Sequence, residues 1–168
     1  MKRLLTLAMV LSALLLTAVP APAVTCTTTV PAGGDIQAAI NAATPGAIIC
    51  LEPGTYTPVA TITINKSLTL QGPQAGVDPR PSASTTRTPG SSSEAIIDGA
   101  LSNLGRVFYI DADNVVLNGL EVKSGTDDMI RQSNAHSGTT VRYNIIHDGR
   151  GDEGAQLAKC TACAMEYN

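Results

Sequence analysis

A short stretch near the start of the chain has apolar residues at helical spacing. The run from Ile36 to Ala43 places them at positions i, i+3, i+4 and i+7, on one face of an α-helix. Asp35 before this run is a residue type that caps helix N-termini, and Pro45-Gly46 after it is typical of a helix end. The pattern predicts a helix of about ten residues with one narrow apolar stripe.

After this helix the apolar residues alternate with polar ones, which is the period of a half-buried β-strand. Short alternating runs recur between turn residues, at Ile49/Leu51, Ile62/Ile64, Leu68/Leu70 and Ile96-Ile97. Between the last two runs, residues 73–93 are rich in Pro, Ser, Thr and Gly. We interpret them as a surface loop within one domain, because the strand pattern resumes in the same style after them.

The later part of the chain repeats itself every 24 residues. Leu117, Val141 and Met165 are separated by this interval, and the apolar residues around them follow the same spacing. A fixed period of this length is typical of a solenoid, in which each coil buries its apolar side chains against the next coil. The sequence therefore predicts one interior column made of these three residues, with Asn144 and Asn168 stacked beside it as a hydrogen-bonded ladder.

The corner before the third strand of successive coils carries Gly119, Tyr143-Asn144 and Tyr167-Asn168. A sharp corner needs a left-handed backbone conformation, which Gly and Asn tolerate best. We therefore expect the glycine and the asparagines to supply the corners, and the two tyrosines to stack on the outside.

The first 23 residues have the features of a Sec-type secretory signal peptide. Lys2 and Arg3 give a positive start, an uncharged apolar run follows, and Ala21-Pro22-Ala23 is the small-x-small pattern before a cleavage site. The apolar run is shorter than the about 20 residues that span a bilayer. We predict a secreted or cell-surface protein with no membrane span after signal cleavage.

The net charge and the aromatic content of the chain limit which classes of molecule it is expected to bind. The net charge is −3 and only 3% of the residues are aromatic. Nucleic-acid-binding proteins usually combine a basic surface with stacking aromatic residues, so we expect no nucleic-acid partner. The high apolar content, 43%, also excludes a disordered acidic tail.

All four cysteines follow the predicted cleavage site, in the part of the chain expected to reach an oxidising compartment. Cys26 and Cys50 are placed to join the first strand to the strand after the helix, which predicts a disulfide between them. Cys160 and Cys163 form a single C-x-x-C pair, with neither the second pair of a zinc site nor a thioredoxin-like context. We interpret this pair as a structural disulfide or as cysteines facing the strands.

Several segments together resemble bacterial right-handed parallel β-helix proteins of the pectin-lyase-like superfamily. They are Asp35–Ile40, Pro53–Tyr56, Ile64–Gly72 and Ala75–Asp78. The resemblance covers essentially all of residues 26–168. It implies an all-β fold, a right-handed parallel β-helix with about 24 residues per coil and a short N-terminal capping helix. The superfamily includes polysaccharide lyases, glycoside hydrolases, esterases and non-catalytic surface proteins, so the fold leaves the activity open.

Two acidic corners, one coil apart, form the candidate metal-binding site. Asp127 and Asp128 precede one strand, and Asp152 and Glu153 precede the corresponding strand of the next coil. Stacking at about 4.8 Å brings the four carboxylates to one corner, where they could bind Ca²⁺ through oxygen ligands. The alternative interpretation is that these acids serve the geometry of the turns by bonding to nearby backbone N–H groups.

Three basic residues near these corners are the candidate catalytic groups: Arg131, His147 and Arg150. In pectate lyases, which the chain resembles, Ca²⁺ and acidic residues neutralise a uronate carboxylate and a basic side chain removes the neighbouring proton. A glycosidase with two carboxylates as acid and base is a second interpretation. The third is that the arginines pair with neighbouring carboxylates and that His147 is an ordinary surface residue.

We expect residues 24–168 to form one β-helix domain truncated at its C-terminus, because the last residue falls at a corner where earlier coils continue into a strand. The predicted function is therefore that of the N-terminal part of an extracellular polysaccharide-binding or polysaccharide-processing protein, inactive as a fragment. The alternative is a non-catalytic, adhesin-type surface module. The sequence leaves open whether the protein is an enzyme.

Overall fold

The computed structural model describes residues 24–81, 87–151, 154–157 and 159–168. The predicted signal peptide, residues 1–23, lies outside the described residues. In the described part, every pair of neighbouring strands is parallel, and the strands belong to three sheets. The predicted parallel β-solenoid is confirmed.

Sheet A contains one strand from each coil and an additional first strand. Its strands, in spatial order, are β1 (Thr28–Val30), β2 (Ala47–Leu51), β5 (Leu68–Gln71), β8 (Val116–Asn118), β11 (Thr140–Arg142) and β14 (Ala164–Glu166). Sheets B and C line the other two sides of the solenoid. The strands of sheet B are β3 (Gly54–Tyr56), β6 (Ala95–Asp98), β9 (Glu121–Lys123) and β12 (Ile145–His147). The strands of sheet C are β4 (Ile62–Ile64), β7 (Phe108–Ile110), β10 (Ile130–Gln132) and β13 (Ala155–Gln156).

The strand register confirms the predicted interior column. Leu117 lies opposite Val141, and Val141 lies opposite Met165, so the repeat of 24 residues is the step from one coil to the next in sheet A. Leu70 continues the column on the other side of Leu117. Leu70, Leu117 and Val141 have no solvent exposure, whereas Met165 on the outermost strand is 56% exposed. Alternation of side chains thus arranges the apolar residues of neighbouring coils in columns that fill the interior.

Helix α1 spans Ile36–Ala42 and is shorter than the predicted ten residues, because Ala43 has an extended backbone with ψ 150°. The predicted cap is confirmed, since Asp35 Oδ1 accepts a hydrogen bond from the Ala38 backbone N–H at 2.9 Å. The helix packs on the first coil through Ile36 and Ile40, which are both buried. The Gln37 side chain also bonds to the backbone of β4, where its Nε2 donates to Thr63 O and its Oε1 accepts from the Thr63 N–H.

The Asn ladder is confirmed, and the prediction of which residues turn the corners is partly wrong. Gly119, Tyr143 and Tyr167 have positive φ, at 72°, 53° and 52°, so tyrosines rather than asparagines take the left-handed conformation. The side chain of buried Asn144 is held inside, where its Oδ1 accepts from the Leu120 N–H at 2.9 Å. The tyrosine rings stack as expected, with centroids 4.9 Å apart.

Two disulfides link cysteines within the described part of the chain. Cys26 is bonded to Cys50 of β2, with Cα atoms 5.7 Å apart, and Cys160 is bonded to Cys163. Within the described residues, no helix has the length and apolar character needed to cross a membrane.

Candidate functional site

The outward surface of sheet C carries a row of polar side chains, one from each strand. Thr63, Tyr109, Arg131 and Gln156 lie opposite one another in the register of β4, β7, β10 and β13. Neighbouring members are therefore one strand spacing apart, about 4.8 Å. All four are partly exposed, because the residues on either side of them point into the core. We call this row the sheet C ladder.

The centre of the ladder is a guanidinium held by a buried carboxylate. Arg131 NH1 lies 2.6 Å from Asp128 Oδ2, and the Asp128 side chain is only 5% exposed whereas that of Arg131 is 31% exposed. Burial of an ionised carboxylate requires such a partner. Arginine has five N–H donors in a planar fork, so a bond to Asp128 restrains its orientation and uses only part of its donor set.

Asp127 lies next to Asp128 in sequence but serves a different partner. Its Oδ2 is 3.0 Å from Arg106 NH2, and both side chains are substantially exposed, at 50% and 38%. An exposed pair of this kind contributes little to stability. The two acids of this corner thus face separate guanidinium groups, and the two ion pairs together carry no net charge.

The opposite edge of the ladder carries His136 between two carboxylates. Its Nε2 is 3.4 Å from Asp111 Oδ1 and its Nδ1 is 3.5 Å from Asp113 Oδ1. The backbone N–H of Ser137 donates to Asp113 Oδ1 at 2.7 Å. This hydrogen bond is the main reason that the pKa of Asp113 lies below its usual value, and the nearby imidazole contributes as well.

The structure separates the candidate residues of the sequence. Arg131 belongs to the sheet C ladder and Asp127 and Asp128 lie beside it, whereas His147 belongs to β12 of sheet B. Arg150 is exposed, and its backbone N–H donates to Gly125 O at 2.8 Å.

The calcium prediction stays a prediction. Asp152 and Glu153, two of its four carboxylates, lie outside the described residues. Among the residues that the structure does describe, no group of three or more His, Cys, Asp and Glu side chains is arranged to hold a metal ion.

A cluster of buried charged residues on sheet B is not predicted by any sequence pattern. Arg87, Glu94 and Glu121 are buried, and Arg87 pairs with Glu94. His147 Nε2 lies 2.9 Å from Glu121 Oε1, so this histidine is not an ordinary surface residue. No periodic signal marks Arg87 and Glu94, because they lie in the loop that interrupts the repeat. One sequence signal for the burial of Glu121 exists. The equivalent outward position one coil later is Ile145, and an apolar residue there indicates that another segment covers this surface of sheet B.

A cleft of about 370 Å³ lies between the start of α1 and the segment Tyr56–Ile62. Its lining combines apolar side chains with Gln37, Thr57 and Thr61. Asp35 supplies a carboxylate, but one of its oxygens already caps the helix. The cleft therefore lacks the pair of available ionisable groups that acid–base chemistry on a sugar needs.

No protein-family model matches the sequence, and neither a curated protein nor a solved structure matches the chain.

Proposed function

We propose that this chain is an exported polysaccharide-binding β-solenoid of the pectin-lyase-like superfamily, and that it binds an acidic polysaccharide along the sheet C ladder. The observation that carries the proposal is the uninterrupted outward row of Thr63, Tyr109, Arg131 and Gln156. A row of evenly spaced hydroxyl, guanidinium and amide groups suits a ligand that is itself a linear repeat. The phenol ring of Tyr109 offers a flat apolar surface for a sugar ring.

Arg131 is the group that would select for acidic sugars. Its fork matches the two oxygens of a carboxylate, and Asp128 already fixes its direction at 2.6 Å. Arg106 lies at the same edge of the sheet. In this proposal Arg131 recognises the ligand and is not a base, because an arginine stays protonated in proteins.

Recognition is favoured over catalysis by the positions of the candidate groups. His147 lies on sheet B and makes its contact with Glu121, so it does not face the same ligand as Arg131. Asp127 and Asp128 each face an arginine rather than a common point. This arrangement supports a non-catalytic role for the described residues.

The test is affinity gel electrophoresis of the whole chain in gels that contain polygalacturonate, alginate or neutral dextran. We expect retardation by an acidic polysaccharide and none by dextran. The double variant D128N/R131Q removes the guanidinium without leaving a buried charge, and it should weaken binding about tenfold or more, since hydrogen bonds to charged groups contribute about 1.5–3 kcal/mol. Arg142→Gln on the outward side of sheet A is the matched control and should bind as the wild type does.

Two results would contradict the proposal. The first is the lack of retardation in both acidic gels. The second is equal binding by wild type and D128N/R131Q, which would place the binding surface elsewhere. Release of unsaturated sugars, measured by absorbance with calcium or with a chelator, would show that the chain also cleaves its ligand.

A further inference from the structure

Residues 87–94, at the end of the loop that interrupts the repeat, cross the outward surface of sheet B. We call them the crossing segment. Arg87 is almost fully buried and donates to the backbone oxygen of Tyr143 at 2.5 Å, at the corner between β11 and β12. At the other end, Glu94 O accepts from the Gly54 N–H at 2.8 Å, at the start of β3. The crossing segment thus contacts both early and late coils.

Buried charges hold this segment in place. Arg87 and Glu94 form a two-pronged pair, with Nε to Oε1 at 2.9 Å and NH2 to Oε2 at 2.5 Å. This pair is internally neutral. Glu121, which lies beneath the segment on β9, has a side chain with no solvent exposure. Its Oε2 accepts from the Gly90 backbone N–H at 2.8 Å, so a second carboxylate fastens the middle of the crossing segment.

His147 faces Glu121 and a second carboxylate. Its Nε2 lies 2.9 Å from Glu121 Oε1, and its Nδ1 lies 3.1 Å from Asp148 Oδ2. An imidazole that faces a carboxylate oxygen with each nitrogen satisfies both only when both nitrogens carry a proton. A neutral ring has one N–H, so one carboxylate then faces a lone pair.

The other charged groups on this side do not replace the imidazole. Lys123 lies opposite His147 in the register, but its Nζ lies 3.9 Å from Asp98 Oδ2 on the preceding coil. Arg87 forms its ion pair with Glu94. His147 is only partly exposed, at 26%, so its contact with Glu121 is shielded from solvent.

We propose that the crossing segment is a proton-dependent clasp: protonation of His147 tightens residues 87–94 onto sheet B, and loss of that proton loosens them. With the clasp tight, Glu121 has the imidazolium on one oxygen and the Gly90 N–H on the other. With the clasp loose, the outward row Ile96, Glu121 and Ile145 of sheet B becomes accessible. The device is independent of the sheet C ladder, which lies on another side of the solenoid.

The test is hydrogen exchange of the whole chain, read by mass spectrometry on peptides that cover residues 87–94. Exchange is compared at about pH 5.5 and about pH 8, on either side of the range in which imidazoles titrate, after correction for the intrinsic effect of pH. We expect about tenfold greater protection of the crossing segment at the lower pH, the size expected for one charged hydrogen bond. Peptides from sheet A should show no such difference.

Three variants make the result specific. His147→Gln keeps one N–H donor and cannot be protonated, so the pH difference should disappear. Asp148→Asn changes an exposed residue, should fold normally, and should reduce the difference because Nδ1 then no longer faces a carboxylate. His136→Gln alters the other histidine, which lies near Asp111 and Asp113, and should leave the difference unchanged. The proposal is overturned if wild-type protection is the same at both pH values, or if the pH difference survives in His147→Gln.

Discussion

The buried Asn ladder leads to the sharpest prediction about stability. Asn144 has no solvent exposure, and its side chain serves two backbone groups of the preceding coil. Its Oδ1 accepts from the Leu120 N–H at 2.9 Å, and its Nδ2 donates to the Leu117 carbonyl at 3.1 Å. Asn144→Ala leaves both of these groups in the core without that partner. Each stranded group costs about 1–3 kcal/mol, so the variant should lose about 2–6 kcal/mol of unfolding free energy.

Asn168 provides the matched comparison, because it makes the same kind of bond one coil later. Its Nδ2 donates to the Val141 carbonyl at 2.8 Å, but the residue is exposed and water can replace the lost group. We expect Asn168→Ala to cost less than about 1.5 kcal/mol, the size of an ordinary net hydrogen bond. Urea unfolding followed by circular dichroism measures both. The reasoning is refuted if Asn144→Ala is no more destabilising than Asn168→Ala at equal m-values.

Two further predictions concern a corner glycine and an exposed acid. Gly119 has φ 72° and a Cβ there would collide with the backbone of Ala75, whereas Gly46 has φ 84° and open space around it. Gly119→Ala should therefore cost about 2–5 kcal/mol in urea unfolding and Gly46→Ala only about 1–2 kcal/mol, and equal costs would contradict the packing argument. The hydrogen bond from Ser137 lowers the pKa of Asp113 in the folded protein. The ionised Asp113 carboxylate therefore stabilises the fold at pH values above the pKa that this group has in the unfolded chain. This stabilisation is lost as the pH falls through the folded-state pKa. Asp113→Asn should lower the urea midpoint at about pH 7 and leave it unchanged at about pH 2, and the same loss at both values would exclude this origin.

The repeat could be predicted because one apolar residue must fill each interior position. Leu117, Val141 and Met165 share a chemistry that burial imposes, and burial recurs once per coil. The corners were harder to predict. A residue of any type can adopt the left-handed backbone conformation where the surrounding coils enforce it. Tyr143 and Tyr167 adopt this conformation because their rings stack outside while Asn144 is held inside.

The candidate site could be predicted only in part. The pairing of Arg131 with a nearby carboxylate follows from short sequence separation, and the structure places it beside Asp128. The contact of His147 with Glu121 joins residues 26 positions apart on neighbouring coils, which requires the register. Burial of Arg87 depends on how the loop crosses sheet B. The composition of this loop is typical of an exposed segment, so the sequence does not indicate that burial. Sequence patterns therefore revealed the repeating interior and not the charges beneath the loop.

In the solenoid, equivalent side chains of successive coils lie next to each other along the interior column. Methyl-labelled protein tests this directly through nuclear Overhauser effects among Leu117, Val141 and Met165. In-register strands place neighbours about 4.8 Å apart and the outer two at about twice that distance. We expect strong cross-peaks from Val141 to both other residues and a far weaker one, or none, between Leu117 and Met165. Loss of either Val141 cross-peak, or a dominant Leu117–Met165 cross-peak, would contradict the architecture.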